Sequence, residues 1–578
     1  MKIRRALRRL ICLSSIILFA VSSLTVLADI PELPPDIGVK WIRPTDFLSL
    51  SRNGKKAVIH TENERGRASF TVTFPTEGGV RIHTADTGRI EPHGTGNITY
   101  KKIRDNVWQM SGANGTTARF ASNSKTWALT VYNSEGVREY TVDARQIGLG
   151  YRGRTIEKVL LEGNVEKDEV IYGFGEQFRQ FNQVGDKITL WNTDNWSEDA
   201  YKNIPFFHSS TGYSLFFNSA FYGEADIAAD DSDIYTLMFH GSDFDFYVWT
   251  GSPLENIQSY TFLTGRQCLS PKWSFSYWAG GTSVYWESQG AGNSLNLLAE
   301  VMRAYRSIGT PNISTMFGED VLWRNTNTYN LLRTTGTRLI GWYMPFASHN
   351  DMVYYCGNAS SSIADYALPA YRSLDNPWSY YSAENMQIDF SHPNAYTYVK
   401  SLWGPRIEQG LKGLMCDYGE YTPYDTLAYN GMSGSEMHNS LAFYYLQTMD
   451  KVFSEYYPDG DYFLLARPGA AGSQKYAATF SADQHGDFAG LRKVVNAGLG
   501  INASGFSTWG SDIGGIDTTK SSEVYARWMQ FGAFSPIMRI HGSRDNNPTN
   551  FGSIGISTYQ THYWLRENLL DFIYSKSI

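Results

Sequence analysis

The sequence predicts a multidomain protein in which an N-terminal β-sandwich is followed by a (β/α)8 TIM barrel. The chain has 578 residues, more than one hydrophobic core usually serves, so at least two domains are expected. Up to about residue 269 it consists of short β-rich runs separated by Gly, Asn and Asp, and helical periodicity is nearly absent. After residue 270, strand-like runs alternate with amphipathic helical segments, which is the pattern of a parallel barrel.

The first 28 residues are predicted to be a signal peptide that belongs to neither domain. Five cationic residues precede an apolar stretch from Leu10 to Val26, and Ala28 ends a small-residue cleavage site. A retained membrane anchor is the alternative, although serines interrupt the stretch and its length is near the lower limit for spanning a bilayer. The signal peptide implies export to the periplasm, the cell surface or the medium.

The mature chain is predicted to be acidic. Its formal net charge is −7 with the N-terminal segment and −12 once the five cations of that segment are removed. This charge argues against nucleic acid or an anionic membrane as a partner. Aromatic residues make up 15% of the chain, which suits contact with sugar faces, but aromatic-rich β structure explains the same composition.

The β-sandwich is predicted over residues 29–270. Its clearest strand signals are the runs Ala57–His60, Ala68–Phe74, Val80–His83 and Trp127–Tyr132. The combination of many short strands with Gly, Asn and Asp turns is typical of a two-sheet sandwich.

The barrel is predicted over residues 271–578. Its eight candidate strands are Phe275–Ala279, Ile313–Phe317, Leu339–Met344, Leu411–Met415, Tyr462–Ala466, Ala478–Ser481, Gly505–Trp509 and Ile537–Ile540. The helical segments between them include Ser294–Ile308, Ala395–Gln409, His438–Tyr456 and Ser522–Phe531, with Leu565–Ile578 as a closing helix. A Tyr-, Ser- and Asn-rich stretch over residues 347–385 predicts an irregular insertion near the barrel mouth.

Two strand ends carry carboxylates. Asp417 and Glu420 follow one apolar run, and Asp483 follows another. Because the C-terminal ends of barrel strands share one face, these groups are expected to meet there, and a pair of carboxylates is the minimum equipment for breaking a glycosidic bond.

The cysteines of the mature chain are not expected to form a catalytic or metal site. Cys268, Cys356 and Cys416 remain after signal cleavage, an odd number that permits one bridge at most. Cys416 adjoins Asp417 and is expected to point the opposite way, into the barrel wall. No Cys or His spacing predicts a metal site, and no cofactor is expected.

Several motifs occur in an order that resembles glycoside hydrolase family 31, the retaining α-glycosidases. They are Gly173–Gln177, Asn203–Phe207, Asp417–Glu420, Arg467–Gly469 with Gly472–Tyr476, Ala482–Gln484, Ser511–Gly515, Arg527–Pro536 and Arg539–His541. The resemblance spans most of the mature chain, and it implies an enzyme without a cofactor. Family members usually carry a β-domain after the barrel, and the expectation is that this chain lacks it.

The resemblance also implies the catalytic roles. Asp417 matches the nucleophile that attacks the anomeric carbon, and Arg467 matches the position that keeps it ionised. Asp483 matches the acid/base that protonates the leaving oxygen and later deprotonates water. In a retaining enzyme the two carboxyl groups are expected about 5–5.5 Å apart. The alternative is that both are ordinary strand-end carboxylates capping helices.

The remaining site residues are predicted with their structural alternatives open. His541 matches a sugar-binding histidine, Asp512 matches a carboxylate near the site, and either could be structural. Glu319 or Asp320 is expected to contact a sugar hydroxyl, while the other only caps a turn. Three more candidates for sugar contact are Gln177 in the sandwich loop and Trp509 and Trp278, for which core packing is the alternative. Glu420 is expected to orient the loop after the nucleophile.

The nucleophile motif is closest to the sulfoquinovosidase branch, but the sulfonate-binding residues of that branch do not match. Glu319 replaces the Gln of that branch, and Ile516 replaces a Tyr. Arg338 and Trp342 have the wrong spacing for the Arg-x-x-Trp set and are predicted to lie in the third strand. A carboxylate repels a sulfonate, so a neutral hexose is expected in place of sulfoquinovose.

The predicted function is therefore an exported, exo-acting retaining α-glycosidase acting on oligosaccharides or α-glycosides. A catalytically inactive carbohydrate-binding homologue and an α-glycan lyase are the alternatives. The sequence leaves open the glycone, the linkage, the oligomeric state and whether the short C-terminus permits activity.

Overall fold

A computed structural model of the chain describes residues 38–84, 88–123, 125–193, 200–280, 291–311, 313–317, 325–348, 385–422, 424, 426–516, 521–541 and 546–578. Antiparallel sheets fill the first part, and a closed parallel barrel of eight strands follows. The predicted succession of a β-sandwich and a (β/α)8 barrel is confirmed. No strand follows the eighth barrel strand within the described ranges.

The N-terminal part contains nineteen described strands arranged in three sheets. The strands are β1 Lys40–Ile42, β2 Asp46–Arg52, β3 Ala57–Asn63, β4 Gly66–Thr73, β5 Val80–His83, β6 Ile98–Arg104, β7 Val107–Gly112, β8 Thr117–Asn123, β9 Thr126–Tyr132, β10 Arg138–Asp143, β11 Ile147–Arg152, β12 Thr155–Asn164, β13 Ile171–Gly175, β14 Lys187–Leu190, β15 Asn203–Ser209, β16 Tyr213–Phe217, β17 Gly223–Ile227, β18 Ile234–Phe239 and β19 Asp245–Thr250. An eight-stranded sheet in the order β13-β15-β16-β19-β5-β4-β3-β2 and a six-stranded sheet in the order β1-β11-β12-β18-β17-β14 accompany the five-stranded meander β6 to β10.

Side-chain alternation explains why these strands pack as layers. Along β9, Trp127, Leu129 and Val131 are buried and the residues between them are half-buried. Because successive side chains of a strand point to opposite faces, every second apolar residue enters one shared core. Phe70 and Phe246 from the eight-stranded sheet join the same core.

A helix that the sequence pattern did not predict ends the sandwich part. Helix α1 spans Pro253–Thr264, so the expectation of almost no helix before residue 269 is wrong at this position. Ser252 caps its N-terminus in a capping box with Glu255, and Gly265 with φ of 112° ends it. These local signals identify a helix whose apolar face is too weak for a periodicity argument.

The barrel strands are all parallel. They are β20 Tyr277–Gly280, β21 Thr315–Phe317, β22 Arg338–Tyr343, β25 Leu411–Cys416, β26 Phe463–Ala466, β27 Ala478–Phe480, β28 Trp509–Asp512 and β29 Ile537–Arg539, while β23 Phe346–Ser348 and β24 Asn385–Gln387 form a separate hairpin. The described helices of this part are α2 Ala291–Ser307, α3 Thr326–Thr335, α4 Pro393–Gln409, α5 Gly434–Tyr456, α6 Phe488–Ala503, α7 Ser522–Phe534 and α8 Gly552–Ser577.

The seventh barrel strand lies later than predicted. The expected run Gly505–Trp509 shares only its last residue with β28. Gly505 has φ of 92° and turns the chain after α6, so it cannot begin a strand. The true strand contains Gly510, Ser511 and Asp512, which no search for an apolar run selects.

A buried arginine joins the last described helix, α8, to the barrel. Arg566 of α8 is fully buried and donates to the carbonyl oxygens of Phe275, Ala533, Ser535 and Pro536. Burial lowers the pKa of Arg566 to about 10.

Among the described residues, no helix combines the length and the apolar character that a bilayer-spanning segment requires.

Candidate active site

Five consecutive barrel strands place functional side chains at one face. Asp417 follows β25, Arg467 follows β26, Asp483 lies three residues beyond β27, Asp512 ends β28 and His541 lies two residues beyond β29. β26 pairs with both β25 and β27, so Asp417 and Asp483 lie two strands apart. The C-terminal ends of parallel barrel strands form one rim, which is where barrel enzymes carry their chemistry.

The Asp417 carboxylate receives donors on both oxygens. Trp342 of β22 donates from Nε1 to Oδ2 at 2.8 Å, and the Tyr418 backbone N–H donates to Oδ1 at 3.0 Å. Arg467 lies with Nε 3.2 Å from the same Oδ1. The Asp417 side chain is only 11% exposed, so these groups hold a carboxylate that is oriented and almost withdrawn from water.

Arg467 divides its charge between two carboxylates. Its Nε and Nη2 donate to the two oxygens of Glu420 at 3.2 and 2.8 Å, while Nε also faces Asp417. The guanidinium lies 4.0 Å from the Tyr418 ring centre and 4.7 Å from that of Tyr201. Glu420 therefore anchors the arginine, and its predicted role in orienting the loop after β25 stays a prediction.

A left-handed turn directs the chain after Asp417. Tyr418 has φ of 57° and Gly419 has φ of 116°, a sharp reversal that aims the Tyr418 N–H back at Asp417. A Cβ on Gly419 would lie 2.9 Å from the Pro468 ring, so only glycine fits. Cys416 points away and is fully buried, and burial raises the pKa of its thiol, as expected of a wall residue.

Asp483 is half-buried in the loop that joins β27 to α6. The residue before it, Ala482, donates its backbone N–H to Glu176 Oε2 at 3.3 Å. The sandwich therefore contacts the barrel directly beside the predicted acid/base.

Glu176, and not Gln177, is the sandwich residue that contacts the barrel rim. Gln177 donates from Nε2 to the Phe174 carbonyl and to Asn203 within the sandwich. Glu176 forms an ion pair with Lys202 at 2.6 Å, and both side chains are fully buried. Burial raises the pKa of Glu176 and lowers the pKa of Lys202.

The next strand end carries a second pair. Asp512 Oδ1 lies 2.5 Å from Arg539 Nη2, and both side chains are buried. His541 is 7% exposed and packs edge-to-face on Phe317, with ring centres 4.9 Å apart. Both residues border the rim, and their contacts with substrate stay predictions.

The two tryptophans lie among packed side chains. Trp278 is fully buried in the barrel interior, donates to the Ser274 carbonyl and packs on Phe463. Trp509 is 1% exposed and donates to Glu176 at 3.3 Å. Their placement matches the core-packing alternative, and contact of either tryptophan with a sugar stays a prediction.

Some predicted residues fall elsewhere. Glu319, Asp320 and Cys356 lie outside the described residues. Arg338 and Trp342 lie in β22 as predicted, with Arg338 stacked on Trp273 near the opposite end of the barrel. In the ranges that the structure describes, no group of three or more His, Cys, Asp or Glu is arranged to hold a metal ion.

Sequence reasoning missed Trp342 as a partner of the nucleophile, and it missed Glu176 and Lys202. A usable signal existed for the pair, because single opposite charges interrupt the aromatic-rich runs 172–178 and 201–207. Charges in such surroundings are buried only when they are paired.

The described part of the chain combines a β-sandwich with a parallel barrel whose strand ends carry carboxylates. The TIM-barrel domain of glycosyl hydrolases family 31 matches residues 267–576, and the N-terminal galactose mutarotase-like domain of the same family matches residues 43–226. The chain belongs to glycoside hydrolase family 31, and the resemblance seen in the motifs is confirmed.

Relatives with several names are similar to the chain. An α-xylosidase of Emericella nidulans is 25% identical over 88% of the chain and 70% of its own length. An isomaltosyltransferase of Sporosarcina globispora is 23% identical over 93% of the chain and 54% of its length. A sulfoquinovosidase of Escherichia coli is 28% identical over 68% and 64%. The chain thus spans about half to two-thirds of the length of these relatives.

Solved structures share the fold. A dextranase of Flavobacterium johnsoniae complexed with glucose superposes with a TM-score of 0.78 at 20% identity, covering 93% of this chain and 70% of that one. An α-xylosidase from a soil metagenome complexed with xylose gives 0.75 at 19% identity, covering 92% and 85%.

Proposed function

We propose that this chain is an exported, exo-acting retaining α-glycosidase that hydrolyses terminal α-linked sugars by double displacement. The observation that carries the proposal is the Asp417 carboxylate, which two hydrogen-bond donors and the ion pair with Arg467 hold at the barrel rim two strands from Asp483. Family membership supplies the class of reaction.

In the first step Asp417 attacks the anomeric carbon and the glycosidic C–O bond breaks. Asp483 donates its proton to the leaving oxygen, so the aglycone departs as an alcohol and the sugar remains esterified to Asp417. In the second step Asp483 takes a proton from water, whose oxygen attacks the anomeric carbon and releases Asp417. The product keeps the starting anomeric configuration.

The surroundings of Asp417 suit this chemistry. Trp342 and the Tyr418 N–H fix the plane of the carboxylate, and Arg467 forms an ion pair with it. Because Arg467 also donates two hydrogen bonds to Glu420, its positive charge is shared. Its attraction for Asp417 therefore does not prevent that carboxylate from attacking the anomeric carbon.

A neutral sugar is the proposed glycone. Relatives named α-xylosidase and a structure named dextranase support neutral substrates, and the carboxylate of Glu319 would repel the sulfonate of sulfoquinovose. The proposed partners are oligosaccharides or α-glycosides, and export rests on the N-terminal segment.

A panel of 4-nitrophenyl α-glycosides, including the sulfoquinovoside, tests the proposal with the signal-free protein. Release from one neutral glycone, lost in Asp417→Asn and kept in the rim-distant control Asp461→Asn, is the expected result. Silence across the panel from a folded protein would contradict it and favour a binding homologue. A product lighter than the free sugar by one water would identify a lyase.

A further inference from the structure

A buried ion pair lies at the seam between the sandwich and the barrel. Glu176 Oε2 and Lys202 Nζ are 2.6 Å apart, and neither side chain has any exposed surface. Burying two charges costs more than a pair of apolar residues of the same size, so such a pair contributes little to stability by itself.

Each member of the pair is bonded to a different catalytic strand. Glu176 accepts the N–H of Ala482, the residue before the acid/base, and also faces Trp509 Nε1 at 3.3 Å. Lys202 donates at 2.9 Å to the carbonyl of Arg467, whose guanidinium pairs with Asp417. The Ala482 N–H, the ion pair and the Arg467 carbonyl therefore form one chain of polar contacts beside the two strand ends.

We infer that Glu176, whose buried charge Lys202 balances, is a positioning residue that sets the place of Asp483 at the barrel rim through the Ala482 N–H. The inference rests on the proposed roles of the two aspartates. A retaining mechanism requires a fixed carboxyl separation, and a displacement of about 1 Å can cost about 10²-fold in rate.

Misplacement of Asp483 has a signature that general destabilisation lacks. Proton donation matters when the leaving group is a poor one, and it matters little for fluoride, which departs without an acid. Loss of the Glu176 contact should therefore slow cleavage of a phenyl glycoside far more than cleavage of the corresponding glycosyl fluoride.

Two double variants isolate the contact. Glu176→Leu with Lys202→Met and Glu176→Gln with Lys202→Met both remove the two buried charges, so neither leaves an unpaired ion. Only the glutamine variant keeps an oxygen that accepts the Ala482 N–H. Asp245→Asn in the buried Arg81 pair of the sandwich is the control for loss of a buried ion pair away from the rim.

We expect the leucine double variant to lose about 10²-fold in kcat/KM, which reports departure of the leaving group, on the phenyl glycoside and less than about threefold on the fluoride. The glutamine double variant should recover most of that loss, and Asp245→Asn should leave the ratio of the two rates unchanged. Equal rates in the two double variants, or equal losses on both substrates, would overturn the inference.

Hydrogen exchange gives a second readout that needs no turnover. The Ala482 amide should exchange faster in the leucine double variant than in the glutamine one. Unchanged exchange would overturn the inference even in an active enzyme, whereas a wild-type protein that is silent on the whole panel contradicts the proposed function instead.

Discussion

Two Asp–Arg ion pairs lie at the barrel rim, each between neighbouring strand ends, and their surroundings differ. Asp417 after β25 faces Arg467 after β26, and Asp512 at the end of β28 faces Arg539 at the end of β29. Arg539 has Asp512 as its carboxylate partner at 2.5 Å and turns its guanidinium toward the Phe480 ring. Arg467 is shared, and its nearest Asp417 contact is 3.2 Å.

Under the proposed function, the difference separates a structural ion pair from one beside the reacting carbon. Asp512 pairs with a guanidinium that is only 1% exposed, so both charges belong to the packing of the rim. Glu420 also pairs with Arg467, so Asp417 is not the only carboxylate that balances this arginine. Glu420, the third member of the Asp417–Arg467 group, accounts for the difference between the two ion pairs.

Removal of the arginine from each ion pair should change a different property: catalysis for Arg467 and stability for Arg539. Arg467→Met leaves Asp417 and Glu420 as neighbouring carboxylates without a cation, and kcat/KM should fall about 10²–10³-fold. Arg539→Met should lower the free energy of unfolding with a much smaller change in kcat/KM. Steady-state kinetics and urea denaturation of both variants decide, and equal kinetic losses would remove the distinction.

The structural pair should dominate stability. Asp512→Asn leaves Arg539 as an unpaired buried charge and should lower the free energy of unfolding by about 3–5 kcal/mol. Asp417→Asn should cost less, because Glu420 still balances Arg467. Urea midpoints that fall equally in both variants would show that Asp512 is no more structural than Asp417.

These stabilities must be compared above the titration range of His208. This residue joins β15 to the end of α6, with Nδ1 at 2.6 Å from the Ser214 hydroxyl and Nε2 at 2.8 Å from the Ala503 carbonyl. Burial lowers its pKa to about 4. Because the unfolded chain then binds the proton more readily, stability is complete above pH ~6.5 and is lost as the pH falls toward 4.

At pH ~5 this loss should amount to about 2 kcal/mol relative to pH ~7. His208→Gln should flatten that part of the pH dependence measured by urea unfolding, while the exposed His485→Gln should retain it. An unchanged slope in His208→Gln would assign the acid sensitivity to other groups.

The smallest expected effect tests the sharing of Arg467. Glu420→Gln removes the competing charge, so Arg467 should draw closer to Asp417 and stabilise the carboxylate before attack. We expect kcat to fall about tenfold, since only interactions stronger in the transition state accelerate the reaction. Glu408→Gln on the exposed face of α4 is the matched control. Wild-type kcat in Glu420→Gln would show that the sharing has no catalytic weight.

The sequence was sufficient to predict those rim residues that lie in the same short motif as the end of an apolar strand. Asp417 and Arg467 directly follow apolar strands, Asp483 lies three residues beyond its strand, and the barrel brings such ends together without further information. The β28 position failed because its Gly, Ser and Asp residues do not form an apolar run.

Tertiary contacts account for what the sequence did not show. Gln177 and Glu176 are adjacent, and a motif alone cannot tell which of two neighbours faces the barrel after a left-handed residue at Phe174, φ 60°. Lys202 becomes recognisable only when its buried partner is known. The sheet order of the sandwich depends on long-range pairings such as β5 with β19.

Arg566 has a consequence for synthesis on the ribosome. The barrel closes where β29 meets β20, and the four bonds of Arg566 secure that closure from a helix that is made after all eight strands. The sandwich can fold while the nascent barrel still exposes the unpaired edge of β20. The demand of this chain on chaperones should therefore be greatest before α8 has left the ribosome.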